Sequence, residues 1–168
     1  MNPQLPAFID ALEARQLLVF DILGEEDYNF NIRFLIQKYV YLARKFGLDM
    51  DYRFSMYLHG PYSSVLAADY YRLAKIKNDD EEWYRTLASE DLNSLSNLDE
   101  SFFDFVEGRD LEWLEAATTL LSLSGHITNR RRLIERTANM KEHIPVDIIE
   151  SVLETLERNN LIIFSLSS

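Results

Sequence analysis

Three histidines, a run of arginines and a Gly-Pro turn between tyrosines are the residues here with chemistry to offer. His59, His126 and His143 carry metal-binding atoms, but no two of them stand at the i, i+4 spacing that puts two imidazoles on one helix face. Only a convergence in space would make them a ligand set, and a histidine beside a proline turn is more commonly packed or solvated. Asp49, Asp51 and Asp69 could in principle share a proton or hold Mg²⁺. Lone carboxylates more commonly pair with a cation or solvate a helix. There is no cysteine, and so no thiolate nucleophile, thiolate metal site or disulfide. A Gly-rich phosphate loop, a serine elbow and a His-Glu-x-x-His pair are also missing. These residues give no catalytic group, no metal and no cofactor.

What remains suits contact. Tyr57, His59, Gly60, Pro61 and Tyr62 form a candidate partner-binding loop, because tyrosine offers a large stiff face and a hydroxyl handle. The plainer reading is a turn shaped by Gly60-Pro61 whose aromatics close a core, and both readings can hold together. Arg130, Arg131, Arg132 and Arg136 are the one basic cluster and a candidate DNA contact, meeting phosphates or base edges. Four arginines supply only a modest electrostatic term, and an acidic neighbour such as the 76–115 segment would neutralise them.

That segment dominates the charge. Residues 1–75 hold 8 basic and 9 acidic side chains, residues 76–115 hold 3 and 13, and residues 116–168 hold 6 and 6, so nearly all of the net −11 lies in the middle. Such a surface would attract a basic partner and speed encounter, or simply keep the chain soluble. It argues against broad nonspecific binding of nucleic acid. No apolar stretch approaches the roughly 18 residues of a membrane span. The first residues lack the basic and apolar regions of a signal peptide, and the expected location is the cytoplasm.

The elements that must position these groups are mostly helices. A first is expected over Phe8–Leu23, ended by Gly24. A second runs about Phe30–Phe46, capped by Asn29 or Asn31 and closed by Gly47. Its stripe of Ile32, Leu35, Ile36, Tyr39, Leu42, Ala43 and Phe46, widened by Phe34, Val40 and Tyr41, places it near the centre of a domain. Gln37, Lys38, Arg44 and Lys45 are left for its polar side. Tyr52, Phe54, Met56 and Leu58 then alternate with polar residues, the period of an extended arm with one buried face. An arm so short must lie on helices or pair with a second strand. Gly60-Pro61 breaks it, and Ser63 or Ser64 caps a helix with Leu66, Tyr70 and Leu73 inward.

Residues 76–110 are expected to hold short helices near Glu81–Leu87 and Glu100–Val106, docked by Trp83, Leu87, Leu92, Leu95 and Leu98. Asp110 caps a helix over about Leu111–Leu121, with Leu114, Ala117, Thr118 and Leu121 buried and Gly125 as its break. Thr128 caps the next, with Leu133, Ile134 and Ala138 inward. Val146–Arg158 is a strongly amphipathic last helix. After an Asn159-Asn160 turn, "LIIF" reads as a short terminal strand.

The stretch "LIQKYVYLARKFG" followed by "YRFSMYLHGPYSSVLAADYYRLA" resembles the Panacea-type family, which includes SocA-like antitoxins, and equally the related YwgA-like proteins of undefined role. Leu35, Lys38, Tyr41, Leu42, Ala43, Phe54, Gly60, Pro61, Tyr62, Ser63, Leu66 and Asp69 match the pattern. His59 departs from the family's tyrosine before Gly-Pro, and Met56 or Tyr57 stands where a tryptophan is frequent. The match covers about a quarter of the chain. A weaker likeness to the YwgA-like proteins extends through "LEWLEAATTLLSL" and "IIESVLETLERNNLI". The resemblance implies a mostly helical fold, no enzymatic activity and, in the Panacea case, neutralisation of a partner toxin.

The expected fold is mainly α, with a short extended arm or hairpin and a C-terminal lobe that is either plainly helical or winged-helix-like. The expected division is a helix–arm–Gly-Pro–helix unit with the acidic segment over 1–110 and a lobe over 111–168. The expected function is a non-enzymatic protein-interaction module, antitoxin- or adaptor-like, with a protein partner such as a basic toxin. The alternative is a transcriptional regulator binding DNA through its C-terminal lobe.

Overall fold

The structure is a computed structural model that describes residues 1–89 and 94–164. The chain is mainly helical, with eight α-helices and one two-stranded antiparallel sheet among the described residues. It forms two compact units. The first comprises Met1–Ser55 and Ser63–Gly108, the second Met56–Tyr62 and Arg109–Ser168. The chain thus leaves the first unit for a seven-residue excursion and returns to it.

In the first unit, α1 (Gln4–Ala14), α2 (Asp27–Ala43, extended by a 3₁₀ turn to Phe46), α3 (Ser64–Asp79), α4 (Glu81–Ser89) and α5 (Ser101–Val106) share one core. From Ile36 to Ala43, α2 is buried on every side. This includes Gln37 and Lys38, which the sequence reading left for a polar face. Gln37 is buried because its amide finds a complete partner. Its Nε2 donates to the Ser63 carbonyl at 2.9 Å, and its Oε1 accepts from the Ser63 amide at 2.9 Å. Ser63 then caps α3, its hydroxyl accepting from the Leu66 amide at 3.2 Å, while Leu66, Tyr70 and Leu73 are buried as expected. The ammonium of Lys38 lies 4.8 Å from the centre of the Phe34 ring.

The acidic segment is anchored through Phe102, fully buried at the centre of an aromatic cluster. Phe8, Tyr39, Phe46 and Phe103 surround its ring at 5.4–6.4 Å between centroids. In α4 the inward pair is Tyr84 and Ala88, one position on from the expected Trp83 and Leu87. Trp83 is exposed because Tyr84 takes the inward place, stacked 6.1 Å from Phe20 with its hydroxyl 3.3 Å from Glu13 Oε1. Leu98 is buried and Leu95 half-buried, while Leu92 lies outside the described residues.

Helix α1 ends well before the expected Leu23. Gln16 takes a left-handed conformation (φ 60°), and the amides of Gln16 and Leu17 return to the carbonyls of Glu13 and Leu12. The following arm has a two-residue period, with Leu18, Phe20 and Ile22 buried and Val19, Asp21 and Leu23 exposed. The apolar spacing that suggested one long helix is the sum of a short helix and this arm. Asn29 does not cap α2 but sits inside its first turn, buried, accepting from the Glu26 amide and donating to the Asp21 carbonyl.

The second unit holds the hairpin, β1 (Ser55–Tyr57, from Met56 on) and β2 (Gly60–Tyr62), with α6 (Leu111–Ser124), α7 (Arg130–Met140) and α8 (Val146–Arg158). Asp110 caps α6 at 2.8 Å from the Trp113 amide, as expected. Asn129, rather than Thr128, caps α7, at 3.0 Å from the Arg132 amide. Helix α8 spans the expected residues and buries Ile149, Val152, Leu153 and Leu156. No terminal strand forms over Leu161–Phe164. The two strands among the described residues already pair with each other, and after left-handed Asn160 (φ 58°) only Ile162 turns into the core while Ile163 is exposed.

Two predictions follow from the first unit. Gly47 closes α2 at φ +96°, and a Cβ there would overlap the Asn97 carbonyl oxygen. Gly47→Ala is expected to cost at least about 2 kcal/mol in urea unfolding, because the strained angle and the backbone clash act together. The second concerns alkaline pH. Burial pushes Tyr39 up to about 12 from its ordinary 10.0. Burial and Asp69 raise Tyr52, and burial and Glu13 raise Tyr84. A raised native value means that the unfolded chain loses its proton first. This stability is therefore complete below pH 10 and is lost as pH climbs through the native values, about 1.4 kcal/mol per unit of difference. Phenolate absorbance should rise in two steps, the second coinciding with loss of the helical circular dichroism signal.

Candidate functional site

Each strand of the hairpin is only three residues long, and such a ribbon is marginal by itself. The reversal occurs at Leu58-His59, not at Gly60-Pro61 as the sequence suggested. Gly60 (φ +95°) admits the chain into β2, where Gly60 and Pro61 are buried and β2 packs on α6. A proline tolerates this place because it removes a donor from a strand with only one neighbour. Tyr57 (62% exposed), Leu58 (74%) and half-exposed His59 form the tip, and the Tyr57 and Tyr62 rings lie 5.6 Å apart.

Beneath the tip are two buried charges that sequence reasoning missed. Lys141, just past α7, is 2% exposed, and its ammonium donates to the carbonyls of Leu58 at 2.6 Å and Tyr57 at 3.4 Å. Burial lowers its pKa, and the Glu115 carboxylate opposes that shift. Glu115, on α6, is 3% exposed. It accepts from His143 Nε2 at 2.7 Å and lies 3.5 Å from His59 Nδ1. Two of the three scattered histidines therefore meet on one carboxylate. His126 is not with them and instead lines a concavity beside α7. Among the described residues no group of three or more His, Asp or Glu side chains is placed to hold a metal ion.

The Lys141 amine is committed to two carbonyls, which suits a clamp rather than a nucleophile. One signal for it was legible. Glu115 stands beside Leu114 and one turn from Thr118 and Thr119, all buried, so it is a charge in an apolar stripe. Lys141 lies between helices and carries no such signal. The three aspartates do not converge. Asp69 accepts from the Tyr52 hydroxyl at 2.6 Å and the Asn2 amide at 3.3 Å, while Asp49 caps the amide of Asp51.

The arginine cluster is divided. Arg130 pairs with Glu157 at 2.9 Å and Arg131 with Glu135 at 3.2 Å. The neutralising carboxylates are thus local rather than drawn from residues 76–115. Arg132 and Arg136 line the concavity of ≈ 410 Å³, together with Glu135, His126, Asn129 and Asn139.

Comparison with known proteins gives no match to a family model, to a curated protein or to a solved structure. The likeness to Panacea-type proteins therefore rests on the motif residues alone.

Lys141→Met tests the clamp, since it keeps most of the buried stem and removes the donor. The loss of hydrogen bonds to a charged group is expected to lower stability by roughly 1.5–3 kcal/mol. Amide exchange should accelerate at Met56 and Tyr62 and stay unchanged in α1–α5. Unchanged hairpin exchange would show that the clamp does not restrain the tip.

Proposed function

We propose that this chain is a non-enzymatic protein-interaction module, similar to an antitoxin or adaptor, that acts in the cytoplasm and binds a protein partner through the hairpin tip. One observation carries the reading. Tyr57 and Leu58 are held out to solvent on a turn whose own carbonyls are clamped by a buried ammonium. A preordered aromatic and apolar tip loses little entropy on binding, which is the property that lets a few side chains carry an interface. The Panacea likeness around Gly60-Pro61 supports this reading, and the acidic 76–115 segment suits a basic toxin as the partner. No helix among the described residues is long and apolar enough to cross a membrane, and none is needed.

The DNA-binding alternative has one observation in its favour, the placing of Arg132 and Arg136 on one concavity, which Glu135 also lines. It is the weaker reading because Arg130 and Arg131 are already neutralised.

Pull-down from the native host with wild-type chain and a Tyr57→Ser/Leu58→Ser variant decides between them. Both side chains are exposed, so the thermal midpoint should hold within a degree or two. A partner captured by wild type should be lost, or weakened at least about tenfold, in the variant. Equal capture by the variant would sink the tip as the binding surface. A salt-dependent gel shift abolished by Arg132→Ala/Arg136→Ala would favour DNA.

A further inference from the structure

We propose that the first unit carries a separate docking groove, between the extended arm 18–23 and α3, whose occupant is a basic amphipathic segment of a partner protein. The proposal rests on the protein-interaction reading but not on the hairpin tip.

The groove is a concavity of ≈ 400 Å³. Buried Phe20 and Ala74 line its floor, and Val19 (69% exposed) and Leu23 (48%) stand on the arm above. An arm without helix or ladder bonds could fold such side chains inward, but here it is riveted open. Lys77 donates to the Phe20 carbonyl at 3.3 Å, and Arg33 donates to the carbonyls of Ile22 at 2.7 Å and Gly24 at 3.1 Å. The buried amide of Asn29 holds the Asp21 carbonyl at 2.8 Å. The outward apolar side chains are thus fixed by the fold.

The rim selects the occupant. Asp21 and Glu81 line the groove. Glu25, Glu26 and Asp27 follow the arm, Asp79, Asp80 and Glu82 flank Glu81, and all are exposed. One cation, Lys77, lines the groove too, but its ammonium is held by the Phe20 carbonyl at 3.3 Å and lies 3.9 Å from Glu13; Arg85 pairs with Asp10 and Glu81, and Arg33 holds the arm. An apolar floor inside a carboxylate rim fits a segment with apolar residues on one side and Lys or Arg on the other. A second copy of this acidic chain would bring like charge to the rim.

The test titrates the full chain with a Leu/Lys amphipathic peptide and, in parallel, a Leu/Glu peptide of the same pattern, read by amide NMR shifts. The Leu/Lys peptide is expected to shift residues 19–23 and 74–81, to weaken as salt is raised, and to bind a Leu58→Ser variant unchanged. Val19→Ser/Leu23→Ser keeps every charge and should weaken binding at least about tenfold, with the thermal midpoint as the check on folding. Asp21→Asn/Glu81→Gln should flatten the salt dependence. Equal binding of the Leu/Glu peptide, or undiminished binding to Val19→Ser/Leu23→Ser, overturns the proposal. So does a self-association in sedimentation that the Val19→Ser/Leu23→Ser variant abolishes, which would make the occupant a second copy. Because Leu58→Ser is carried alongside, failure at the tip and failure at the groove are read separately.

Discussion

A polar side chain that leaves water must be answered by a partner, and in both units that requirement fixes where the backbone goes. Helix α2 is buried all round from Ile36 to Ala43, so the amide of Gln37 has no solvent to fall back on. It needs a donor and an acceptor side by side, and the Ser63 backbone supplies both. The start of α3 is therefore set by a side chain inside α2. In the second unit the ammonium of Lys141 can be buried only because two carbonyls of the hairpin turn to meet it. Glu115 answers two imidazoles in the same place. Apolar burial supplies most of the stabilisation in both units. It is non-directional, and these polar pairs supply the direction.

The same logic separates what the sequence could show from what it could not. Helix α8 and the caps of α3 and α6 were legible because a local rule decides each one, an unbroken apolar stripe or an oxygen three residues before an amide. The all-round burial of α2 was legible in its density of apolar residues, but its polar residues misled. A Gln or Lys in an apolar helix reads as a solvated side until its partner is known. Trp83 and Tyr84 show the limit at its smallest. Two stripes one residue apart have the same i, i+4 spacing, and only Phe20 and Glu13, some sixty residues away or more, choose between them. The arm at 18–23 failed differently, since a short helix followed by a two-residue period happens to imitate a longer helix.

Site residues were legible as types rather than as an arrangement. Tyr57 and His59 were singled out, and the tip does present them, yet the turn lies two residues earlier than the Gly-Pro pair suggested. Proline draws attention because it cannot donate. Here it sits inside a strand with one neighbour, where a missing donor is tolerated, and the turn falls before it, at Leu58-His59. The clamp below was nearly invisible, because Lys141 lies more than eighty positions from the carbonyls it holds.

Charge placement bears on how such a chain would work. Burying Glu115 and Lys141 is costly, as the lowered pKa of Lys141 records. A hydrophobic pair of similar volume would serve a purely structural hairpin as well or better. What the polar version adds is directional restraint of the turn carbonyls, and hence a held backbone beneath Tyr57 and Leu58. Restraint of that kind matters little for solubility and much for recognition, because a backbone already held in its binding pose gives up less freedom on contact. The carboxylates of residues 76–115 act at longer range, where they raise the rate of encounter with a basic partner but fix no pose. On the interaction reading the two are complementary. A diffuse field brings a partner near, and a clamped tip distinguishes that partner from others of the same charge.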